Sequence, residues 1–154
     1  MLNAADIMQK DIMTVSPETT VEELGRIFIE KNISGLPVVD SSGGLVGVVT
    51  ENDLISRNKQ IHIPTMLRLF DAFIPLEGFN AFETEIKRIS AKVAGDICTR
   101  DTVNVSPDTG LDEIATIMTE KKLHHLPVMD KKKLVGMINQ HDVLKGIALE
   151  GTGK

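Results

Sequence analysis

The sequence predicts an α+β fold of two pseudo-symmetric units, each running strand, helix, strand, strand, helix, with face-to-face three-stranded mixed sheets and a short helical connector. Three observations support this prediction. They are an internal repeat, the same order of hydrophobic periods in both copies, and an apolar segment between the copies that has no counterpart in either of them. We expect one compact body, because a small sheet exposes an apolar face that its twin can cover.

The internal repeat consists of short strings that return at a fixed spacing. Three strings recur 90 positions later: Asp6-Ile7 as Asp96-Ile97, Val15-Ser16-Pro17 as Val105-Ser106-Pro107, and Leu36-Pro37-Val38 as Leu126-Pro127-Val128. Beyond Asp130 the second copy is one residue shorter, so that Asp53 corresponds to Asp142. A change of this size inside a turn is variation that repeats tolerate. The spacing therefore indicates two copies of one structural unit.

Both copies change their hydrophobic period in the same order. Thr20 and Glu23 form a capping-box pattern at the start of a helix. The apolar face of this helix and the matching face in the second copy are Leu24, Ile27 and Phe28, and Ile114, Ile117 and Met118. Two β-branched runs on either side of a Gly-rich turn then predict a hairpin, and a second helix is predicted from Thr50 to about Arg57.

The segment between the copies is too apolar for a disordered linker. Helical spacing predicts two short helices in it, one carrying Met66, Leu67 and Phe70 and one carrying Phe82, Ile86 and Ile89. The predicted organisation is a first repeat at residues 1–58, a helical connector packed on the pair at 59–93, a second repeat at 94–149 and a flexible tail at 150–154.

Each copy also carries a Leu-Pro-Val segment and, after it, a strand-to-helix turn that ends in aspartate. The segments are Ser34-Gly35-Leu36-Pro37-Val38-Val39-Asp40 with Gly47-Val48-Val49-Thr50-Glu51-Asn52-Asp53, and His124-His125-Leu126-Pro127-Val128-Met129-Asp130 with Gly136-Met137-Ile138-Asn139-Gln140-His141-Asp142. Two such strings in register resemble tandem CBS domains, the Bateman module. The resemblance covers roughly residues 4–149, and we expect a stand-alone module with no catalytic or transport domain attached.

The resemblance implies two clefts, one at each strand-to-helix turn. Family members that bind ligands hold adenosine compounds there, commonly AMP, ADP, ATP or S-adenosylmethionine. Asp53 and Asp142 would accept hydrogen bonds from the two ribose hydroxyls, since a carboxylate offers two acceptor oxygens. Thr50 would donate to a phosphate beside a helix N-terminus, and Asn139 stands at the matching position of the second site.

The resemblance also implies that the segment before each first strand crosses to the opposite copy and lines its cleft, largely through backbone groups. The segments are Ile12, Met13 and Thr14 for the site of Asp142, and Thr102, Val103 and Asn104 for the site of Asp53.

A basic residue that faces the phosphate often precedes the Leu-Pro-Val segment in this family. His125 takes that position in copy two with His124 beside it, whereas copy one has Gly35 and Ser34. We therefore expect the two sites to bind a phosphate unequally. Copy one has the turn that suits a phosphate better, and copy two has the residue that better supplies a positive charge. The sequence leaves open which site is the stronger one.

Helix capping is the interpretation of these residues that competes with nucleotide binding. Thr50 and Asp53 also form a helix capping box, which stabilises a helix by about 1 kcal/mol without a ligand. The alternative function is therefore a ligand-independent dimerisation or scaffold module that acts through a protein partner. The neighbouring His124 and His125 do not predict a metal site, because adjacent residues of a strand point to opposite faces.

Composition narrows the classes of partner. The chain has 154 residues, a formal net charge of -5 and 3% aromatic residues, with no Trp or Tyr. Nucleic acid is a poor candidate, because stacking platforms need aromatic rings and phosphate backbones attract basic proteins. No apolar run approaches the roughly 20 residues that span a bilayer. A single cysteine and an N-terminus without a signal-peptide pattern lead us to expect a cytoplasmic protein.

The remaining expectations concern activity and assembly. The sequence has no nucleophile elbow, phosphate-binding loop or cluster with metal-ligand spacing, so it predicts a protein that is not an enzyme and has no cofactor. We expect an energy-sensing regulatory role toward an unidentified protein. The helical faces Leu24, Ile27, Phe28 and Leu54, Ile55 predict a homodimer, since tandem CBS modules commonly associate through their helices.

Overall fold

The computed structural model describes residues 1–57, 66–69, 72–75 and 92–152. The elements of the first repeat are α1 (Ala4–Ile7), α2 (Val21–Lys31), β1 (Gly35–Val39), β2 (Leu45–Thr50) and α3 (Glu51–Arg57). Those between the repeats are β3 (Met66–Leu69) and β4 (Ala72–Pro75). Those of the second repeat are α4 (Ala94–Ile97), α5 (Leu111–Lys121), β5 (His125–Asp130), β6 (Lys133–Asn139) and α6 (Gln140–Thr152). The predicted α+β order is therefore confirmed in both copies.

Capping groups and backbone conformation fix the two ends of the long helix in each repeat. Thr20 caps α2, because its side-chain oxygen accepts the backbone N–H of Glu23 at 3.2 Å. The N-cap of the equivalent helix α5 is Gly110, which makes no side-chain capping hydrogen bond. Both helices end at a residue in the left-handed conformation, Asn32 with φ 52° and Lys122 with φ 54°. The same turn therefore leads into β1 and β5.

Each repeat contains an antiparallel hairpin with one parallel neighbour. β1 pairs with β2 and β5 pairs with β6. The third strand is a single bridging residue: Val15 N–H donates to the Pro37 oxygen at 3.1 Å, and Val39 N–H donates to the Val15 oxygen at 2.8 Å. Val105 forms the same parallel bridge in the second repeat. The three-stranded mixed sheet is thus reduced on one side to one residue, because a turn begins directly at Ser16.

The short helices α1 and α4 are exchanged between the repeats. Ala4 lies fully buried in the core of the second repeat, whereas Ala94 and Ile97 lie in the core of the first. Backbone hydrogen bonds fix both positions: Ala4 N–H donates to the Thr109 oxygen and Ala94 N–H to the Thr19 oxygen, each at 2.8 Å. We call residues 8–14 and 98–104, which lead back from these helices, the crossing segments.

Part of the predicted connector is wrong. The helix predicted to carry Met66, Leu67 and Phe70 is replaced by the hairpin of β3 and β4, in which Met66 pairs with Pro75 and Leu67 with Ile74. Short apolar runs satisfy helical and strand spacing equally well, and pairing with a second run decides between them. The helix predicted to carry Phe82, Ile86 and Ile89 lies outside the described residues.

Two further expectations are corrected at the helices. Residues 150–152, predicted as part of a flexible tail, belong to α6, where Glu150 accepts the backbone N–H of Leu2 at 2.7 Å. Leu24 and Phe28, predicted to form a dimer face, are buried in the core of their own repeat. A small sheet needs the full apolar stripe of its helix to cover it.

No helix in the described part of the chain combines the length and the apolar character that crossing a bilayer requires.

The exchange of α4 predicts that Ile97 stabilises the first repeat. Its side chain is 7% exposed, so Ile97→Ala should lower the free energy of unfolding by about 2–5 kcal/mol and Ile97→Val by about 0.5–1.5 kcal/mol. Urea denaturation followed by circular dichroism measures both. Equal stability of the three proteins would contradict the placement of α4 in that core.

Candidate functional site

Two clefts open at the strand-to-helix turns. We name them the Asp53 cleft, of about 600 Å³, and the Asp142 cleft, of about 900 Å³. Each combines the turn of one repeat with a crossing segment: Thr102 and Val103 line the Asp53 cleft, and Ile12 and Met13 line the Asp142 cleft. The crossing places these residues together, because each segment returns from a helix that is packed on the other repeat.

The Asp53 cleft is built around the N-terminus of α3. The Asp53 carboxylate accepts hydrogen bonds from Thr50 through its backbone N–H at 2.8 Å and its hydroxyl at 3.2 Å, both at Oδ2. These bonds hold the carboxylate of Asp53 and the hydroxyl of Thr50 side by side at the N-terminus of α3. A carboxylate, a hydroxyl and a helix N-terminus can together bind a polar ligand that carries both hydroxyls and an anion.

The Asp142 cleft has the same plan with tighter internal bonding. Asn139 N–H donates to Asp142 Oδ2 at 2.9 Å, and Asp142 N–H donates back to Asn139 Oδ1 at 2.9 Å, which completes a capping box. Asp142 is 6% exposed. The side-chain amide of Gln9 also reaches this carboxylate, with Nε2 at 3.3 Å from each carboxylate oxygen.

The histidines are not confined to the cleft that the sequence suggested: His125 lines both clefts, and His124 lines the Asp53 cleft. The better turn and the better cation were assigned to different sites, yet His124, His125 and Thr50 all line the Asp53 cleft. The residues before β5 face the turn of the opposite repeat, just as the residues before β1 line the Asp142 cleft. The residues that precede each Leu-Pro-Val segment therefore reach the cleft of the other copy's aspartate, and Ser34 and His125 also line the cleft of their own copy.

Ser34, Glu51 and His125 line both clefts and form a shared wall between them. Ser34 Oγ and His125 Nε2 are 2.9 Å apart and hydrogen-bonded. A Cβ atom at Gly35 would lie 2.6 Å from the His125 ring, which is too close for a side chain. Positions 35 and 125 are equivalent in the repeat but face each other, so only one of them carries a bulky group.

Two predicted residues lie outside the clefts, and several lining residues were missed. Thr14 and Asn104 are exposed and do not line either cleft. The missed lining residues include Gln9, Asp11, Lys31 and Asn32 in the Asp142 cleft, Thr99, Asp101 and Lys122 in the Asp53 cleft, and Glu51 in both. The 90-residue spacing pairs Gln9 with Thr99 and Asp11 with Asp101, and applying it to the crossing segments could have found these four.

Among the described residues, no group of three or more His, Cys, Asp or Glu side chains is placed to hold a metal ion.

Comparison with known proteins identifies the family. A family model described as the CBS domain matches residues 4–59 and 94–149. This chain belongs to the CBS domain family. The two matches coincide with the two copies of the repeat, so the chain carries a CBS pair.

Relatives of this CBS pair include plant and archaeal proteins. It is 32% identical over 143 residues to the chloroplastic CBS domain-containing protein CBSX1 of Arabidopsis thaliana; the match covers 89% of this chain but 59% of that protein. It is 26% identical over 152 residues to the uncharacterized protein MJ1426 of Methanocaldococcus jannaschii, covering 92% of this chain and 89% of that one. The chain thus spans about three fifths of the plant relative.

Solved structures share the fold over nearly the whole chain. A crystal structure of CBSX2 in complex with AMP matches with a TM-score of 0.76 and 27% identity, covering 98% of this chain and 99% of that one. The CBS pair of protein MJ0100, in complex with 5'-methylthioadenosine and S-adenosyl-L-methionine, matches with a TM-score of 0.70 and 23% identity, covering 100% and 99%. The second likeness supports the fold alone.

His125 should make stability depend on pH. Burial lowers the pKa of His125 below its ordinary value of 6.5, because the imidazolium loses hydration; His124 acts in the same direction, and Glu51 and Asp142 oppose it. Folding therefore disfavours the protonated ring. The contribution of the neutral His125 ring to the free energy of unfolding is full above pH 6.5 and is lost as the pH falls through the lowered pKa.

Thermal melts check this expectation. Between about pH 7.5 and about pH 5.5, the melting temperature of the wild type should fall more steeply than that of His125→Gln. His141→Asn removes an exposed histidine and serves as the matched control, with the slope of the wild type. A His125→Gln slope equal to that of the wild type would contradict the assignment.

Proposed function

We propose that this CBS pair is a regulatory module that binds an adenosine-containing ligand in one or both clefts. The candidates are AMP, ADP, ATP and S-adenosylmethionine, and AMP comes first because CBSX2 crystallised in complex with it. The observation that carries the proposal is the Asp53 cleft, where a carboxylate and a hydroxyl stand together at a helix N-terminus opposite Thr102 and Val103.

Each part of the ligand has a matching group in the Asp53 cleft. The Asp53 carboxylate suits the vicinal hydroxyls of a ribose, and Thr50 suits the nearest phosphate oxygen. Lys122 lines the same cleft and supplies a cationic side chain, and the rings of His124 and His125 add N–H groups that can donate to phosphate oxygens. The base would lie against the crossing segment, where Val103 provides apolar surface and backbone groups provide donors and acceptors.

The crossing segments link ligand binding to the arrangement of the repeats. Gln9 pairs with Met137 of the second repeat, and six residues later Val15 joins the sheet of the first repeat. A ligand in the Asp142 cleft therefore touches a segment that is attached to both repeats. It shifts their arrangement only by the difference in its affinity for the two arrangements, and we propose that this shift is the regulatory output.

The scaffold hypothesis is favoured by one specific observation. The complete capping box of Asn139 and Asp142 gives that carboxylate a structural role that needs no ligand. Under this hypothesis both aspartates only cap helices, and a protein partner recognises the outer surface.

Ligand-induced stabilisation separates the two hypotheses. A ligand at 100 times its dissociation constant raises the free energy of unfolding by about 2.7 kcal/mol, a shift of several degrees in a thermal melt. We expect such a shift with AMP, ADP, ATP or S-adenosylmethionine at millimolar concentration and none with GTP. Asp53→Asn should weaken binding at its cleft by about tenfold or more, because it removes a charged acceptor.

Two comparisons serve as controls for the ligand-binding experiment. The asparagine side chain introduced by Asp53→Asn keeps an oxygen that accepts the Thr50 N–H, so this substitution should change the stability of the unliganded protein by only about 0.5 kcal/mol. Asp108→Asn removes a charge from an exposed loop and should bind as the wild type does. If none of the adenosine compounds raises the melting temperature of the wild type, the scaffold hypothesis replaces ours.

We further propose that the module is a cytoplasmic homodimer that regulates another protein and has no catalytic activity of its own. Part of the predicted apolar surface is available for a dimer: Ile55 on α3 is 67% exposed, and Leu144 at the equivalent position on α6 is 62% exposed. Equilibrium sedimentation at micromolar concentration should give twice the chain mass, and Ile55→Glu with Leu144→Glu should give the monomer. A monomeric wild type would remove the claim.

A further inference from the structure

The crossing segments bring one unequal pair of residues to equivalent places in the two clefts. Gln9 and Thr99 are 90 residues apart and each forms an antiparallel bridge to an inner strand. Gln9 exchanges backbone hydrogen bonds with Met137 at 2.8 and 3.1 Å, and Thr99 exchanges them with Val48 at 2.9 and 3.0 Å. Because the backbones match, the clefts differ here only in the side chain: a long amide in one and a short hydroxyl in the other.

The Gln9 amide lies across the Asp142 carboxylate. Its Nε2 is 3.3 Å from both Oδ1 and Oδ2, while Asn139 N–H donates to Oδ2 at 2.9 Å. A carboxylate has about four acceptor positions on its two oxygens. A ribose diol needs one position on each oxygen, and these are the two atoms that the amide approaches. The amide and the diol therefore compete for the same carboxylate.

We propose that Gln9 is an intramolecular competitor of the ribose at Asp142, and that the pair Gln9 and Thr99 ranks the affinities of the two clefts. This inference rests on the proposed function. Before a ligand binds in the Asp142 cleft, the Gln9 side chain leaves the carboxylate and returns to water. The lost hydrogen bonds subtract from the affinity of this cleft, whereas Thr99 has no amide to be displaced from its own cleft.

A reciprocal exchange of the two residues tests the proposal. The probe is AMP, titrated by isothermal calorimetry into variants that keep one intact carboxylate: Asp53→Asn reports the Asp142 cleft, and Asp142→Asn reports the Asp53 cleft. Adding Gln9→Thr to Asp53→Asn should tighten AMP binding by about fivefold or more, the effect of releasing a hydrogen bond to a charged group. Adding Thr99→Gln to Asp142→Asn should weaken AMP binding by a similar factor.

Two control variants distinguish the competitor from a change in packing. Lys10→Thr alters the exposed neighbour of Gln9 and should leave the AMP affinity of the Asp53→Asn protein unchanged. Gln9→Ala removes the amide without adding a hydroxyl and should tighten binding as Gln9→Thr does. Thermal melts confirm that every variant is folded before it is titrated.

The outcomes separate this inference from the proposed function. AMP binding that is unchanged or weaker after both Gln9→Thr and Gln9→Ala overturns the inference alone and assigns Gln9 a supporting role at the carboxylate. No AMP binding by the wild type and by both single-cleft proteins overturns the proposed function and the inference together. Tighter binding at Asp142 with weaker binding at Asp53 after the exchange supports both.

Discussion

The exchange of the short helices between the repeats is the constraint on which the rest of the structure depends. Ala4 is buried in the core of the second repeat and Ala94 in that of the first, so neither core is complete without a helix that belongs, in sequence, to the other copy. Each chain segment that follows these helices must then return across the joint. The two clefts are composite for this reason, with a turn from one repeat and a wall from a crossing segment.

Pseudo-symmetry fixes the backbone of both clefts, and side chains at equivalent positions make them chemically different. Gly35 and His125 face each other, so one imidazole lies in the wall that the clefts share. Thr50 is replaced by Asn139 at the second turn, and Gln9 by Thr99 on the crossing segments. Differences at equivalent positions of a repeated fold can in this way give two sites of unequal affinity for one class of ligand.

Local patterns succeeded where local chemistry decides the structure, and failed where packing decides it. The cap at Thr20, the two hairpins and the start of α3 follow from turn and capping residues, so all were predicted. The helix predicted to carry Met66, Leu67 and Phe70 is wrong, because the spacing of a short apolar run does not show whether a partner strand such as β4 exists. Leu24 and Phe28 were assigned to a surface because one helix stripe serves a core and an interface equally well.

The sequence by itself determined the repeat, the order of its elements, the family and the two aspartates that mark the clefts, because each of these is written in short strings at a fixed spacing. Only the tertiary structure decided which side chains meet. It brought His124 and His125 to the turn of Thr50, and it laid the Gln9 amide on Asp142 across 133 positions of sequence. Such contacts depend on how the two repeats are placed against each other, and no local pattern of residues encodes that placement.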